Sequence, residues 1–509
     1  MSSFAKGGVV RSTGGFSRET RNPSSVNTDT SPFSKGRQIK EYLKFKIQNF
    51  MKKKILLWYY KLLWKLAHWY IAKHNPYIIG INGSVGKTSC RMIIYQTLQR
   101  FLPNKRIYTS PKNFNGELGM SLSIFQQEKR EPNIFYFVAI FFKLLRKRFF
   151  WHKPYDILLL EYGIDRPGEM DFLLTIAKPH IGIFTAIDAV HSEQFGNPVE
   201  IAKEEVKMLK STLEIWFLNA NDIYAMQLKD QLYIDYLTYQ TEGEDIKADI
   251  FFKDEKFLLA DFKWGIGVQF HTRIKEKKYA VSTNILSKAN YGYIWVALAI
   301  AWILDYKYAR MEARAEDPIL RNGSHEQLEL HYQLQPGRLS IFHGIENSVI
   351  IDSTYNASPL SVRKIINTAH NIKMQLFPQR KIILVLGDMR ELGDLTEREH
   401  RMIAGYVSQV ADKVILVGQY MTDYLADELE NIGYDKKNVE KFYDANIAGK
   451  HIQKMLKEPG DEYLIVCKGS QNTIFLEEAV KHFLLNPEDQ QELTRQSKRR
   501  LIKKQKYFK

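Results

Sequence analysis

The chain has 509 residues, 45% hydrophobic and 26% charged, with a formal net charge of +16. That length holds two or three domains, and that mix belongs to a soluble globular protein rather than a fibrous or membrane-embedded one. The charge sits at the ends: residues 1–76 carry +12 and residues 493–509 carry +8, which leaves −4 on the remainder. This argues against a specific nucleic-acid groove through the fold and for termini that meet an anionic surface.

Residues 1–38, rich in Ser, Thr, Gly and Asn, have the composition of a disordered tail. Residues 39–76 form a basic, aromatic amphipathic segment in which Lys54, Lys61, Lys65 and His68 share one helical stripe. Charges interrupt its apolar run too often for a membrane span. It reads either as an interfacial helix with snorkelling lysines or as a helix packed on its own protein. A second basic-aromatic stretch, 134–151, lies in an insertion at about 128–152 and carries the same two readings. With the basic ends, 39–75 and 134–151 predict contact with an anionic membrane surface. No secretory leader pattern opens the chain, and two cysteines, Cys90 and Cys467, make no disulfide framework. The expected location is cytoplasmic and peripheral, on the inner face of the cell membrane.

From Tyr77 onward, short apolar runs alternate with helical stretches, the rhythm of an α/β fold with largely parallel sheets. The runs include Tyr77–Ile81, Ile157–Leu160, Ile181–Thr185, Ile382–Leu386, Val414–Val417 and Tyr463–Val466. A strand-rich stretch at about 233–283 reads as hairpins, and Gln335–Arg338 as a hinge. The expected domains are 77–330 and 331–490, with a basic tail at 491–509.

The strongest signal runs from Ile78 to Ser89, where a buried strand enters a turn with Gly80, Gly83 and Gly86 and then a helix. Glycines allow backbone N–H groups to close around phosphate oxygens, and the helix N-terminus adds its positive dipole end. Gly83, Ser84, Gly86, Lys87, Thr88 and Ser89 are therefore expected to bind ATP. Lys87 would reach the β- and γ-phosphates, and the Thr88 hydroxyl would bind Mg²⁺. The pattern is G-x-x-G-[ST]-x-G-K-[ST] rather than the strict G-x-x-x-x-G-K.

Further motifs follow in order: Asn113 and Asn115 in an Asn-rich stretch; Glu161-Tyr-Gly163 with Arg166-Pro-Gly-Glu169; and His191-Ser-Glu193-Gln-Phe195-Gly196. Later come Asp352-Ser-Thr-Tyr355-Asn356-Ala-Ser-Pro359, Leu386–Gly393 and Lys468-Gly-Ser470. Over residues 77–490 this ordered set resembles the Mur ligases, most closely the D-alanyl-D-alanine-adding members. The resemblance implies a P-loop central domain followed by a Rossmann-like C-terminal domain. It also implies an ATP-dependent ligase that turns a carboxylate into an acyl phosphate for attack by an amine, in peptidoglycan precursor synthesis; the alternatives are another ligase of the family, of polyglutamate type or with a lipid-linked acceptor, and a membrane-associated nucleotide-binding protein without catalysis. The partners would be a muramoyl-peptide-like acceptor and an amino acid or dipeptide donor. Such chemistry needs fixed cations and a metal ion rather than a nucleophilic side chain.

By the same resemblance, Glu161 and His191 are metal ligands with catalytic roles, and Arg338 and Asp352 meet the nucleotide. Asn113, Asn115, Tyr355, Asn356, Lys468 and Ser470 face substrate. Asp352 and Asn356 also read as turn formers, Lys468 and Ser470 as a helix start, and Met389–Leu392 as packing with a surface salt bridge. Many Mur ligases use a carbamylated lysine at the position held here by Glu205, and a glutamate at that of Lys207. Glu205 is expected to supply the metal-binding oxygen directly; the alternative is a solvated helix face with Lys203 or Lys207 modified. Two departures remain. Nothing before residue 77 has the pattern of the family's UDP-gripping domain, and its Asn-rich adenine segment appears as Asn290-Tyr291-Gly-Tyr293.

Overall fold

The computed structural model describes residues 60–507 apart from 112–115, 128–152 (except residue 142), 190–191, 230–232, 243–245, 260–264, 275–276, 313–326 and 472. Asn113, Asn115, His191, the segment 39–59 and the stretch 134–151 (residue 142 excepted) therefore lie outside the described residues.

The first sheet is built from β1 (Tyr77–Asn82), β2 (Ile107–Thr109), β3 (Ile157–Glu161), β4 (Ile181–Phe184), β5 (Ile215–Asn219) and β6 (Asp235–Tyr239). Their order is β2-β3-β1-β4-β5-β6, and every neighbouring pair is parallel. β1 and β3 are buried at every position, as strands covered on both faces must be. Because strand order reverses around β1, the C-terminal ends of β1, β3 and β4 open a crevice at one edge, the usual place for a ligand in such a sheet. The registers Ile81 with Glu161 and Asn82 with Phe184 fix those ends.

The expected hairpins are β7 (Phe252–Leu259), β8 (Ile266–Ile274) and β9 (Lys277–Thr283), an antiparallel run to which β10 (Gln327–Leu330) adds in parallel. One element differs from expectation. β6 does not join the hairpins; the short helix Ile223–Leu228 carries the chain over, and β6 extends the parallel sheet beside β5. The third sheet holds β11 (Ser340–His343), β12 (Val349–Ser353), β13 (Lys381–Gly387), β14 (Lys413–Val417), β15 (Val439–Phe442) and β16 (Tyr463–Lys468). Its order is β11-β12-β16-β13-β14-β15, parallel except for the edge strand β11.

Residues 60–74 are helical and use their apolar side internally. Leu63, Ala67 and Tyr70, spaced i, i+4 and i+7, are buried. Tyr70 packs on Phe125 and Tyr155, and Trp64 lies 5.3 Å from Phe172, ring centre to ring centre. For this part of the amphipathic segment, packing on its own protein is the reading that holds. Among the described residues no helix is long and apolar enough to cross a membrane.

The helix Pro198–Ser211 does not present the solvated face that stood as the alternative to an inward Glu205. Asn197 caps it by accepting from Glu200 N–H, with Pro198 at its start. Glu204 is buried and accepts from the N–H groups of Gly168 (3.0 Å) and Met170 (2.9 Å), at the start of the helix Glu169–Ile176. Lys203 pairs outward with Glu200, and Lys207 bridges Asp171 and Glu204. Neither lysine turns toward the phosphate loop.

Candidate active site

The phosphate loop takes its shape from two glycines with left-handed backbone. Gly83 has φ +113° and Gly86 φ +93°. A Cβ on Gly83 would strike the Thr185 hydroxyl, and one on Gly86 the Tyr293 hydroxyl. The N–H groups of Ser84 and Val85 donate to the Ala186 carbonyl, which ties the loop to the end of β4. Gly86 caps the helix Lys87–Phe101 without a side chain, so no capping oxygen competes for the free N–H groups of its first turn. Lys87 Nζ donates to the carbonyls of Gly83 and Ser84.

At the end of β3, Glu161 is 6% exposed. Its Oε2 accepts from the Thr88 hydroxyl at 3.5 Å, and its Oε1 takes Arg91 Nε at 2.6 Å. Arg91 also donates to the Thr109 hydroxyl and the Ser110 carbonyl. This arginine escaped the sequence reading. Its signal was position: one turn beyond Lys87 on the same helix face.

The opposite wall comes from the third sheet and the turn before it. The Arg338 guanidinium lies 4.3 Å from the centre of the Tyr355 ring, and Tyr355 N–H donates to the Gly337 carbonyl at 3.1 Å. Burial lowers the Arg338 pKa, and its Nε is buried without a partner. Lys468 Nζ donates to the Ser353 hydroxyl at 3.2 Å. Burial, then the Arg338 charge, push its pKa down to about 7; an anion in the cleft restores the charge. Asp352 is fully buried below this wall, accepting from Thr354 N–H and Oγ1, and burial raises its pKa to about 6.

Between the walls is a cleft of about 890 Å³. It brings together Ser84, Gly86, Lys87, Thr88, Ser89 and Glu161 from one side with Arg338, Tyr355, Asn356 and Lys468 from the other, and Asn290 between them. It does not include Gly83, Glu205, Asp352 or Ser470. Ser470 is a brace: its hydroxyl donates to the Ala357 carbonyl and accepts from Arg390 N–H. Glu205 lies beneath the phosphate loop, 1% exposed, held by Gly83 N–H and the Asn82 side chain, with Oε2 unpartnered. Glu391, expected in a surface salt bridge, faces the cleft instead; burial raises its pKa, helped by Asp165 and Glu193.

The walls also touch directly. Asp188 accepts from Leu360 N–H at 3.1 Å, and Lys364 pairs with Glu242 at 2.7 Å. Gly393 sits so close to Glu193 that a Cβ would come within 3.0 Å of the Glu193 Cα. Sequence gave no sign of these contacts, which join residues far apart in the chain.

Comparison with known proteins agrees with this architecture. Residues 81–301 match the Mur ligase middle domain, and residues 337–471 match the domain described as Mur ligase, glutamate ligase domain. The chain is 25% identical over 413 residues to a protein of Borreliella burgdorferi, covering 81% of this chain and 75% of that one. It is 26% identical over 425 residues to one of Rickettsia prowazekii, covering 81% and 79%. Both relatives are named UDP-N-acetylmuramoyl-tripeptide--D-alanyl-D-alanine ligase. Among solved structures, MurF from Acinetobacter baumannii superposes with a TM-score of 0.62 at 18% identity, over 83% of this chain and 79% of that one. MurF from Thermotoga maritima, in complex with ADP, gives 0.61 at 20%, over 85% and 84%. With both walls of its cleft falling in matched domains, the chain belongs to the Mur ligase family.

Proposed function

We propose that the protein joins D-alanyl-D-alanine to a muramoyl tripeptide with ATP, as the names of its relatives describe for them. The observation that carries this reading is the cleft itself, with a phosphate loop on one wall and Arg338, Tyr355 and Lys468 on the other. A carboxylate of the acceptor takes the γ-phosphoryl group of ATP, releasing ADP. The donor amine then attacks the acyl carbon, forming the C–N bond as the C–O bond to phosphate breaks and the amine gives up a proton.

Two anions must approach each other in the first step, so fixed positive charge is the main requirement. Lys87 and the free N–H groups of the first turn of its helix meet the nucleotide phosphates. Arg338, with a buried Nε to spare, and Lys468 meet anionic oxygens from the other side. The oxygen donors Thr88 and Glu161 fit Mg²⁺, which binds one or two protein groups and completes its shell with phosphate and water. Among the described residues no group of three His, Cys, Asp or Glu forms a closed metal cage. When bound, the ion screens the phosphoryl oxygens. The unpartnered Glu205 Oε2 is our candidate for a second cation behind the loop.

The test is ADP release with UDP-N-acetylmuramoyl tripeptide, ATP and D-alanyl-D-alanine. We expect release that requires all three, with product mass increased by the dipeptide less water. Release independent of the dipeptide would sink the assignment. Attachment to an anionic membrane surface belongs to the same reading and is supported by the net charge of +12 on residues 1–76. We expect co-sedimentation with anionic vesicles at low salt and release at high salt; indifference to vesicles removes this part alone.

A further inference from the structure

Residues after 471 lie beyond the matched domains, yet the end of the chain is built into the cleft wall. Leu493 and Thr494 are buried, and Thr494 packs on the hinge, its Cβ 3.2 Å from where a Gly337 Cβ would stand. Arg495 is 7% exposed in its side chain and reaches back to the segment that carries Tyr355. It donates to the Tyr355 carbonyl at 2.9 Å, the Thr354 carbonyl at 2.7 Å and the Glu477 carboxylate. The helix Lys498–Tyr507 follows. Its Lys504 is buried against Glu477 (2.7 Å) and Glu478 (2.6 Å), and Tyr507 closes on Phe475.

A basic segment with no acid of its own would ordinarily be a solvated tail. Here two of its cations share a fully buried Glu477, an arrangement that fixes geometry, because removing one partner leaves charge stranded in the interior. The consequence is the placement of Arg500. It is exposed, in the first turn of the helix, and lines the cleft together with Arg338 and Lys468. No described acid pairs with it.

We propose that residues 493–507 form a third side of the active-site cleft, in which Arg500 binds the carboxylate of the incoming amine donor and Arg495 and Lys504 are positioning residues. This rests on the ligase reading above. The nucleotide phosphates belong to the Lys87 wall, and the amine adds to a face of the planar acyl group before phosphate leaves, so the donor needs a seat of its own in the cleft, apart from the nucleotide. Any amino acid or peptide arriving there carries a carboxylate, and a guanidinium matches that planar anion with two parallel hydrogen bonds.

The experiment is steady-state ligation by the full-length protein, with ATP, acceptor and D-alanyl-D-alanine varied separately. Arg500→Ala is expected to raise the KM for the dipeptide about 10- to 100-fold, the loss of a charge-assisted contact. The KM for ATP and kcat should stay within about threefold, since the contact is made equally in ground and transition states. Arg500→Lys should recover part of the loss. With the dipeptide carboxamide, wild type should already be impaired and Arg500→Ala should add nothing. Lys504→Met should raise the dipeptide KM in the same direction without touching substrate, whereas a merely structural helix would change thermal stability alone. An unmoved dipeptide KM in Arg500→Ala overturns the proposal, as does an equal penalty on the carboxamide or a rise confined to ATP. If wild type joins the dipeptide to no acceptor, the ligase reading fails and this proposal falls with it.

Discussion

Lys87→Ala is expected to lower ATP turnover at least about a thousandfold while moving Tm by only a few degrees. The stability side follows from its present partners. Nζ donates to the carbonyls of Gly83 and Ser84, and Lys87 and Ser84 line the cleft, so the loss is that of ordinary hydrogen bonds, about 1 kcal/mol. The activity side follows from what the loop lacks otherwise. The first-turn N–H groups supply partial charges, Thr88 is neutral, and Arg91, one turn further along the same helix, is spent on Glu161. Lys87 is therefore the charge that moves from loop carbonyls onto phosphate when nucleotide enters. Removing one preorganised oxyanion donor costs about a hundred- to a thousandfold, and a full charge in a sheltered cleft costs more. Calorimetric Tm together with ADP release decides it. Near-normal turnover would remove the phosphate loop from the mechanism, and a collapsed Tm would make the residue structural.

How much of this was readable beforehand depends on the range of each interaction. The loop was legible because its constraints are local: left-handed glycines, a lysine and a helix start lie within a dozen residues. Glu161 was legible as a carboxylate ending an otherwise apolar strand. Arg91 was less so, since an arginine amid Cys90, Met92 and Ile93 signals burial only when counted one turn from Lys87. The contacts of Asp188 with Leu360, and of Arg495 and Lys504 with Glu477, were not legible at all. Each joins positions that only the fold brings together, and a basic tail looks the same whether it is solvated or docked. The helix Pro198–Ser211 falls between these cases. Its alternating charges left a solvated face as the alternative, but Ile201, Glu205 and Met208 stand at i, i+4 and i+7, and all three are buried. Period, not composition, carried the answer there.

Glu205→Gln should therefore do two opposite things: raise stability above neutral pH and cripple catalysis. Burial lifts the Glu205 pKa from its ordinary 4.5 to about 7, against the pull of Lys87, Gly83 N–H and Asn82. The native state then binds a proton more tightly than the unfolded chain. Stability falls as pH rises from about 4.5 and levels off above 7, with a total cost of about 3 kcal/mol. Glutamine keeps the shape and cannot ionise, so the variant should melt higher than wild type at pH 8 and at nearly the same temperature at pH 4.5. A carboxylate held at such cost with one oxygen unpartnered is expected to be used, here to neutralise a cation behind the phosphate loop. Turnover at saturating Mg²⁺ should drop about a hundredfold or more. Bicarbonate should not affect wild type, because Lys203 and Lys207 are engaged at the surface and neither can serve as a carbamate there. Melting curves at the two pH values and ADP release separate the outcomes. A variant that is stabilised yet fully active would leave Glu205 as a buried acid without a role in turnover, and a variant destabilised at pH 8 would show that its ionised form is well compensated. Loss of wild-type activity on removal of CO₂, restored by bicarbonate, would return the metal-binding role to a lysine.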